Sequence, residues 1–550
     1  MASQQFFHSP SGFSSQTYIY HSPRPSVPLP PLTTPLSVTS YLFSLLNSHP
    51  PPPHAAALVD ALTRRHILYS DFVLNIKTLA FFLKTKFNLS NNDTAFVLSR
   101  NSIHLPILYF SLFSIGVTVS PSNPANTKPE ILRLIQLSKP VIAFATSDTA
   151  DKIPSLKYGT VLLDSPVFES YVTTQVDERD LDSELDAVRV SQSDPAAILY
   201  SSGTTGMIKG VVLTQRNWIA SLAGAHAVRT VRETPAVALC AVPFFHVYGF
   251  RYCVTALALG QSLVSMERFE FGIFMRTIEE LRVSHVAVSP PIVLMMAEDR
   301  RSMDCYELSK LEGLACGGAP LTLSVIKKFK KRLPQVQLAQ GYGLTESTGR
   351  IFGTIGPEEC QVIGATGKLA PNCEAKIVDP DTGIAQPPGK PGELWLRGSL
   401  IMKGYIGDEE ATANILDSEG WLRTGDLCYI DSEGFLFYVD RIKEMIKYRG
   451  YQVAPAELEH LLLSHPDIAD AAVVPYPDEL AGQVPVAFMV RKGGRNIDES
   501  QIMDFINKQV APYKRIRQVN FINALPRNAT GKVLRKELVK LAQSNPISKL

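Results

Sequence analysis

The chain has 550 residues and a formal net charge of +2, with 54 Lys and Arg against 52 Asp and Glu. Single hydrophobic cores stop growing at roughly 250 to 300 residues, so this length predicts at least two domains. The balanced charge excludes a polycationic surface, and we therefore expect no nucleic-acid partner.

The cysteine pattern and the hydropathy bear on whether the protein is disulfide-rich, zinc-binding or membrane-spanning. The seven cysteines form no C-x-x-C pair, which favours neither a disulfide framework nor a zinc site and indicates a thiol-reducing compartment. The longest apolar stretches, 105–119 and 236–250, are interrupted by polar or glycine residues. They fall short of the roughly 20 residues that a membrane span needs, so we expect no transmembrane segment.

The two ends of the chain differ in character from the rest. Residues 1–40 are rich in Ser and Pro and lack the apolar run of a secretory signal, so we expect a flexible or loosely docked arm. The last residues, Ser548-Lys549-Leu550, match the peroxisomal address that an import receptor reads at a free carboxyl terminus. Chance is the alternative for so short a string. We expect a peroxisomal protein.

Alternating apolar patterns predict α/β layers. Residues 93–98 read as a strand, a helical pattern follows to residue 110, and 116–120 reads as the next strand. The character changes at 438–450, before a helix start at 454–457 where Pro and Glu suit the first turn. We therefore expect a large layered domain, 41–440, and a small α+β domain, 441–547, ahead of the terminal tripeptide 548–550.

The sharpest motif is a Ser/Thr/Gly-rich loop at 200–210, between apolar strands at 196–199 and 211–213. Its glycines let backbone N–H groups approach an anion, and its hydroxyls and ammonium add donors for phosphate oxygens. The candidate phosphate ligands are Ser201, Ser202, Gly203, Thr204, Thr205 and Lys209. A Walker A loop would place the lysine directly after a glycine and before a hydroxyl, so a P-loop kinase is disfavoured.

This loop resembles the signature of the adenylate-forming superfamily, which includes acyl-CoA synthetases, firefly luciferase and peptide-synthetase adenylation domains. Further motifs follow in order over about residues 50 to 535 and are similar to those of plant 4-coumarate:CoA ligases, in particular the peroxisomal branch. The resemblance implies ATP, Mg2+ and CoA as cofactors or co-substrates, a carboxylic acid as substrate, and a small domain that is mobile.

Two glycine-containing segments, 316–320 and 340–347, carry the expected nucleotide site. We expect glycines beside Tyr342 to clear space for a flat base, Thr345 to contact a phosphate, and Glu346 to offer hard oxygen to Mg2+. The resemblance assigns nucleotide binding to Gly318, Gln340, Gly341, Tyr342, Gly343 and Thr345, with Thr345 also catalytic.

Three charged residues complete the predicted adenylation chemistry. Asp426 and Arg441 match the ribose-binding pair, since two ribose hydroxyls would satisfy the oxygens of a buried carboxylate. A simple salt bridge between them is the alternative, and both roles are compatible. Lys532 matches the adenylation lysine, a cation that touches both anions as the carboxylate attacks the α-phosphorus. On spacing alone, Lys532 reads as a solvated surface lysine.

The CoA thiol must later reach the acyl carbon beside which the small domain has placed its lysine. The resemblance implies that the small domain rotates after pyrophosphate release and so lets the thiol approach. Lys443 matches its hinge position. The resemblance also places Lys443 and Lys447 beside the substrate, and Arg268, Arg449 and Gly450 beside CoA. A solvated charged face is the alternative for 441–449.

The expected acyl pocket lies near 244–249, where His246 stands at the mouth and Tyr248 and Gly341 contact the acid. A neutral imidazole can donate a hydrogen bond to a carboxylate or swing aside to open a path for a thiol. The alternative is that His246 is an ordinary buried core histidine. The ligases continue from Thr-Glu with an Ala-Gly-Pro-Val-like sequence, whereas this chain has Ser-Thr-Gly-Arg at 347–350. Arg251 and Arg350 therefore either point to solvent or pair with a second polar group on the substrate.

The sequence thus predicts an acyl-CoA synthetase that forms acyl-AMP and then a CoA thioester. The expected acid is a fatty acid or a jasmonate-precursor oxylipin, with 4-coumarate, cinnamate or benzoate as the alternative. A luciferase-like oxygenase and a non-catalytic nucleotide-binding protein are remote alternatives, and a peptide-synthetase module would need a carrier protein as acceptor.

Overall fold

The computed structural model describes residues 10–201, 208–298, 303–448, 451–478, 481–510, 512–528 and 531–544. The strands are β1 Phe13–Ser14, β2 Ile19–His21, β3 Ala56–Asp60, β4 His66–Leu68, β5 Thr94–Leu98, β6 Thr118–Ser122, β7 Ile142–Ala145, β8 Thr160–Leu162, β9 Pro195–Ser201, β10 Lys209–Thr214, β11 Val237–Cys240, β12 Ser262–Ser265, β13 His285–Val288, β14 Gly313–Cys316, β15 Gln337–Leu344, β16 Gly349–Gly353, β17 Lys368–Leu369, β18 Cys373–Val378, β19 Gly392–Gly398, β20 Gly404–Tyr405, β21 Leu422–Ile430, β22 Leu436–Arg441, β23 Ile446–Tyr448, β24 Tyr451–Val453, β25 Ile468–Asp478, β26 Gly482–Arg491 and β27 Gln518–Phe521.

Helices separate many of these strands. They are α1 Val38–Ser48, α2 Tyr69–Phe87, α3 His104–Ser114, α4 Lys128–Ser138, α5 Pro166–Thr173, α6 Glu178–Asp186, α7 Gln215–Ala227, α8 Val247–Ala258, α9 Phe271–Glu280, α10 Pro290–Glu298, α11 Leu323–Arg332, α12 Gly356–Cys360, α13 Glu409–Ala413, α14 Pro455–Ser464, α15 Glu499–Asn507 and α16 Arg535–Ser544. Short 3-10 helices lie at Ala150–Lys152, Thr345–Ser347, Ile442–Glu444 and Pro512–Lys514. Every helix of the described residues is too short or too polar to cross a bilayer.

Three sheets build the large domain. A seven-stranded sheet has the order β20-β10-β9-β6-β5-β7-β8, and a nine-stranded sheet has the order β17-β16-β15-β14-β13-β11-β12-β3-β4. A six-stranded sheet has the order β1-β2-β18-β19-β21-β22. The main apolar core joins elements of all three sheets, and it includes the buried Trp218 and Phe250 that pack against each other. The α/β layers predicted from the alternating pattern are confirmed, with β5, α3 and β6 in the expected places.

The small domain is an α+β unit with its own apolar core. Its sheet has the order β24-β23-β26-β25, and β27 pairs in parallel with β26 after the crossover helix α15. Helix α14 begins with Pro455 in its first turn, as the sequence predicts. The chain leaves the six-stranded sheet at Arg441 and enters the small sheet at Ile446, and we keep the proposed domain boundary there.

Residues 10–40 differ from the flexible or loosely docked arm expected from composition. Strand β2 pairs with β18 and buries Tyr20, which is 1% exposed. Arg24 forms two hydrogen bonds of 2.6 Å to Glu359 and a third to the carbonyl of Gly353. The expectation is wrong for this part of the arm because its stabilising partners lie far away in the sequence, more than 300 residues in the case of Tyr20 and Arg24.

We expect Arg24→Met to lower the free energy of unfolding by about 1–3 kcal/mol, since the carboxylate of Glu359 loses two charged hydrogen bonds while it stays half-buried. Denaturant unfolding of the large domain measures this change. The matched control is Arg179→Met, whose side chain is 91% exposed and whose loss should stay within about 0.5 kcal/mol. Equal effects of the two variants would show that the arm contributes no stability through Arg24.

Candidate active site

Side chains from all three sheets of the large domain converge at one place. Ser201 at the end of β9 donates to Glu346 Oε1 over 3.0 Å, although 145 residues separate them. Tyr342 of β15 donates to Asp426 Oδ2 of β21 over 2.6 Å. These two hydrogen bonds join the seven-, nine- and six-stranded sheets, so residues predicted from separate motifs share one site.

The predicted phosphate loop connects two antiparallel strands. Ser201 ends β9, Lys209 begins β10, and the two residues are paired. The Lys209 Nζ lies 3.4 Å from Asp408 and 4.7 Å from the ring centroid of Tyr405, so its cation is held at the strand end. The predicted ligands Ser202, Gly203, Thr204 and Thr205 lie outside the described residues.

Glu346 lies beside this loop, at the 3-10 turn after β15. Its Oε1 accepts hydrogen bonds from Ser201 and, over 2.9 Å, from the hydroxyl of Tyr405. In the described part of the chain no cluster of three His, Cys, Asp or Glu forms a metal cage. One carboxylate next to a phosphate loop nevertheless fits Mg2+, which is usually bound by one or two carboxylates together with waters and substrate phosphates. The adjacent Thr345 is 8% exposed.

Asp426 is the most buried charged group of the site, with its side chain 2% exposed. Burial raises the pKa of this carboxyl, while the Arg441 cation, with Nε 3.3 Å from Oδ1, acts in the opposite direction. The predicted salt bridge is therefore present. Tyr342 occupies Oδ2, but no described donor makes a hydrogen bond to Oδ1. Oδ1 is therefore a buried acceptor with no hydrogen bond from a described residue, and ribose binding by Asp426 stays a prediction.

Asp426 lies inside β21. Tyr342 and its two glycines likewise lie inside β15, which runs parallel to β14 in its first half and antiparallel to β16 in its second. The strands extend further than apolar patterns alone indicated because glycine and polar residues in them are paired with neighbouring backbone.

The glycines beside Tyr342 have a structural cause in the packing of β16. A Cβ at Gly343 would lie 1.9 Å from the carbonyl oxygen of Gly349, and a Cβ at Gly341 would lie 2.8 Å from Arg350 Cδ. Close approach of β16 and its arginine requires these glycines, and clearance for a base stays a prediction. The Tyr342 ring is 8% exposed and stacks on Tyr438; binding of a base there stays a prediction.

The small domain brings Lys532 to this cluster. The preceding Gly531 has φ +84°, and a Cβ built on it would lie 3.2 Å from Pro291 of the large domain. Burial and the neighbouring Arg441 cation lower the pKa of Lys532, whereas Glu444 and Asp426 act to raise it. Lys532 is half-buried, so the reading of it as a solvated surface lysine is wrong in this arrangement.

His246 precedes α8 and caps it. Its Nδ1 accepts a hydrogen bond from the backbone N–H of Tyr248 over 3.3 Å, and burial lowers its pKa to about 4. The imidazole is therefore neutral near pH 7, and Nδ1 as acceptor assigns the proton to Nε2. The Tyr248 hydroxyl donates to the carbonyl of Ala315 over 2.5 Å, which fixes this ring beside β14.

Comparison with known proteins agrees with this geometry. The family model described as AMP-binding enzyme matches residues 48–406, and the model of the AMP-binding enzyme C-terminal domain matches residues 457–532. 4-Coumarate--CoA ligase-like 9 of Arabidopsis thaliana is 49% identical, with 98% of each chain covered. The chain belongs to the AMP-binding enzyme family and is an AMP-forming acid–thiol ligase.

Further relatives support the fold and the family. Peroxisomal OPC-8:0-CoA ligase 1 of Arabidopsis thaliana is 42% identical over 97% of this chain and 98% of its own length. The crystal structure of ATP-bound MatB from Rhodopseudomonas palustris has a TM-score of 0.79 and 24% identity, and covers 92% of this chain and 99% of its own. This AMP-binding enzyme therefore has the fold of its superfamily, with both of its domains.

The remaining predicted residues of the ligase are less constrained. Gly318 is exposed after β14 with φ +88°, and Gln340 exchanges backbone and side-chain hydrogen bonds with Thr354. Lys443 is exposed in the 3-10 helix Ile442–Glu444, where its hinge role stays a prediction, and Lys447 lies in β23. The CoA residues Arg449 and Gly450 lie outside the described residues. Arg268 is exposed between β12 and α9, and its assignment to CoA stays a prediction.

Sequence reasoning missed two residues that hold the site of this ligase together. Tyr405 positions Glu346 and packs under Lys209. Asp440 is 2% exposed and accepts hydrogen bonds from the backbone N–H groups of Arg441 and of Ala456 at the start of α14. Burial raises the pKa of Asp440 to about 6. The position of Asp440 directly before Arg441 was a sequence signal for its role. The sequence around Tyr405 carries no such signal.

We expect His246→Asn to retain the helix cap and the stability of the ligase, because the amide oxygen replaces Nδ1 as acceptor, while kcat/KM for the acid falls about tenfold. His246→Ala should show the same fall in kcat/KM, and its free energy of unfolding should also fall by about 1 kcal/mol. Thermal melting and pyrophosphate release measure the two effects. Full activity of His246→Asn would show that His246 acts only as the cap of α8.

The adenylation rate should fall as pH rises through the pKa of Lys532, because the charged form is the one that contacts two anions. The lowered pKa places this alkaline limb below the ordinary lysine value of 10.5. Lys532→Arg stays protonated throughout, so its slower reaction should lack the limb. A pH profile of pyrophosphate release at saturating ATP checks this, and an unchanged limb in the variant would assign it to another group.

Proposed function

We propose that this ligase converts a carboxylic acid, ATP and CoA into acyl-CoA, AMP and pyrophosphate through an acyl-AMP intermediate. A carboxylate oxygen attacks the α-phosphorus and the bond to pyrophosphate breaks; the CoA sulfur then attacks the acyl carbon and the bond to AMP breaks. The observation that supports the proposal is that Lys532, from the small domain, lies close enough to Asp426 and Arg441 for the charges of both to act on its pKa, while those two residues form an ion pair on the six-stranded sheet.

The described side chains divide the first step among themselves. Asp426 Oδ1 accepts from the ribose, and Glu346 and Ser201 face the phosphates and Mg2+. The Lys532 cation stabilises charge that moves from the attacking carboxylate to the departing pyrophosphate, which favours the transition state over the separate anions. Neutral His246 donates from Nε2 to the acid, since its other nitrogen is occupied by the α8 cap.

For the second step we propose that the small domain rotates about Lys443, so that the face predicted to carry Lys447, Arg449 and Gly450 meets the large domain, and that Arg268 contacts CoA. Exposure of Lys443 in a short 3-10 helix between two sheets supports a hinge there. Lys209, Thr345, Asp426, Arg441 and Lys532 are all present, which disfavours a non-catalytic nucleotide-binding protein. A luciferase-like oxygenase shares the first step and would consume O2 without CoA.

The proposed acid is a fatty acid or an oxylipin, with 4-coumarate, cinnamate or benzoate as the alternative. The departure at 347–350 from the coumarate pattern supports this choice, and so does the name of the OPC-8:0-CoA ligase relative. The same relative is called peroxisomal. Together with Ser548-Lys549-Leu550 this supports a peroxisomal location through the import receptor, which a fluorescent fusion with and without the tripeptide would test.

Lys532→Ala should lower acyl-AMP formation by roughly 10²–10³-fold or more, because the site loses its transition-state cation. The same variant should still convert supplied acyl-AMP and CoA to thioester, since a different face of the small domain then meets the site. Pyrophosphate release and thioester formation are measured separately across fatty, oxylipin, cinnamic and benzoic acids.

The matched control is Lys536→Ala, an exposed lysine one helical turn further along the small domain, which should leave both half-reactions unchanged. Equal loss of both half-reactions in Lys532→Ala would refute the two-state hinge. Failure of the wild type to release pyrophosphate with every acid would refute the proposed reaction itself.

A further inference from the structure

A cation-lined cavity of about 30 Å³ lies between α7 and the strands β16 and β17. Its lining includes Arg24, Arg251, Arg350 and Lys368. A volume of this size holds a water or an oxygen-sized polar group but no length of hydrocarbon chain. Neither Arg251 nor Arg350 lies on an open surface, since both are half-buried.

Negative charge inside the described protein does not balance these cations. Glu359 is already bound by Arg24 through both of its oxygens, and the Lys368 ammonium lies over the Phe435 ring. Arg251 donates one hydrogen bond, from Nε to Ser221 over 2.9 Å. The Arg350 guanidinium makes no hydrogen bond or ion pair with any described residue, although it offers five donors.

The backbone around the two arginines is shaped to admit them. A Cβ at Gly341 or at Gly353 would lie 2.8 Å from Arg350 Cδ, so the side chain of Arg350 runs across two strands at glycine positions. A Cβ at Gly349, which has φ +84°, would lie 3.0 Å from Arg251 Cδ. Three glycines therefore leave room for two large cations, an arrangement that an incidental surface arginine does not need.

The same elements that carry the acyl-pocket residues lead to this cavity. Helix α8 is capped by His246, presents Tyr248 in its first turn, and reaches Arg251 five residues after His246, about 7.5 Å along its axis. The residue before Arg350 packs on the first turn of the same helix, since a Cβ at Gly349 would lie 3.5 Å from Val247 Cγ2. An acid that is activated near His246 and extends along α8 therefore points its far end toward the arginines.

Burial and the neighbouring cations dominate the electrostatics of the two arginines. Burial first, and then the Arg350 charge, lower the pKa of Arg251 to about 9. Burial and the Arg24 cation lower the pKa of Arg350. An arginine is the side chain that tolerates such a site with its charge intact, and an acceptor oxygen between the two cations would compensate their desolvation.

We propose that Arg350, with Arg251, is a specificity-determining residue that binds an acceptor oxygen at the end of the acid remote from the reacting carboxylate. The proposal rests on the proposed acyl-CoA synthetase activity and narrows its substrate class to oxygenated acids, either a ketone or a second carboxylate. Among the acids considered above, it favours an oxylipin over an unsubstituted fatty acid or benzoate.

The test compares three acids of equal chain length on the full-length enzyme: decanoic acid, the acid with a ketone on its penultimate carbon, and decanedioic acid. Pyrophosphate release is the readout, so the result does not depend on the CoA step. Wild type should show kcat/KM at least about tenfold higher for one or both oxygenated acids, as charge-assisted hydrogen bonds allow. Whether the ketone or the diacid is preferred identifies the acceptor.

Arg350→Met keeps the length of the side chain and removes its donors. It should erase the preference, mainly through KM, and leave decanoic acid within about threefold of wild type. Arg350→Lys should restore part of the preference for the diacid, and Arg179→Met, an exposed arginine, should change nothing. A melting curve of each variant establishes that it is folded.

Two results would overturn the proposal: no preference in wild type, or an equal loss for all three acids in folded Arg350→Met, which would make the arginine structural. If Arg350→Met does not fold, the wild-type preference and Arg251→Met decide the matter by the same criteria. Absence of pyrophosphate release from every acid would instead be a failure of the proposed function.

Discussion

The burial of Asp426 is the constraint on which the site depends. A carboxylate that is 2% exposed is costly unless its oxygens are satisfied. Tyr342 supplies a hydrogen bond from the nine-stranded sheet, and Arg441 supplies charge from the adjacent strand of the six-stranded sheet. One carboxylate thus joins two sheets and fixes Tyr342, and its remaining oxygen is the acceptor to which we assign a ribose hydroxyl in the proposed function. Under that proposal, nucleotide binding and sheet packing are coupled at this residue.

Charge of alternating sign continues from Asp426 into the small domain. Arg441 is followed by Glu444, which binds Arg535, and Arg535 also binds Glu459 of α14. Asp440 holds the start of the same helix. The ion pairs of Arg535 lie within the small domain, whereas the hydrogen bond from Ala456 to Asp440 spans Lys443, so it is the contact among these that the proposed rotation about Lys443 would alter.

Local patterns predicted much of this fold because they depend on near neighbours in the chain. The β5, α3 and β6 unit, the start of α14 and the strands around the phosphate loop lie where periodicity and turn residues put them. The docked arm and the role of Tyr405 were not predictable in this way. Arg24 reaches Glu359 across 335 residues and Tyr405 reaches Glu346 across 59, and no local composition reports such a contact.

The turn after β15 shows how one segment serves both halves of the substrate site. Thr348 and Gly349 have φ of +55° and +84°, and the Thr348 hydroxyl donates to the carbonyl of Leu400 over 2.6 Å. This turn reverses the chain so that β16 returns along β15. Glu346 before the turn faces the phosphate loop, and Arg350 after it faces the cavity beyond the acyl pocket. The same backbone turn fixes Glu346 and Arg350. A change of acid specificity at residue 350 therefore needs the glycines at 341 and 353 to make room for the new side chain, and it leaves Glu346 in place.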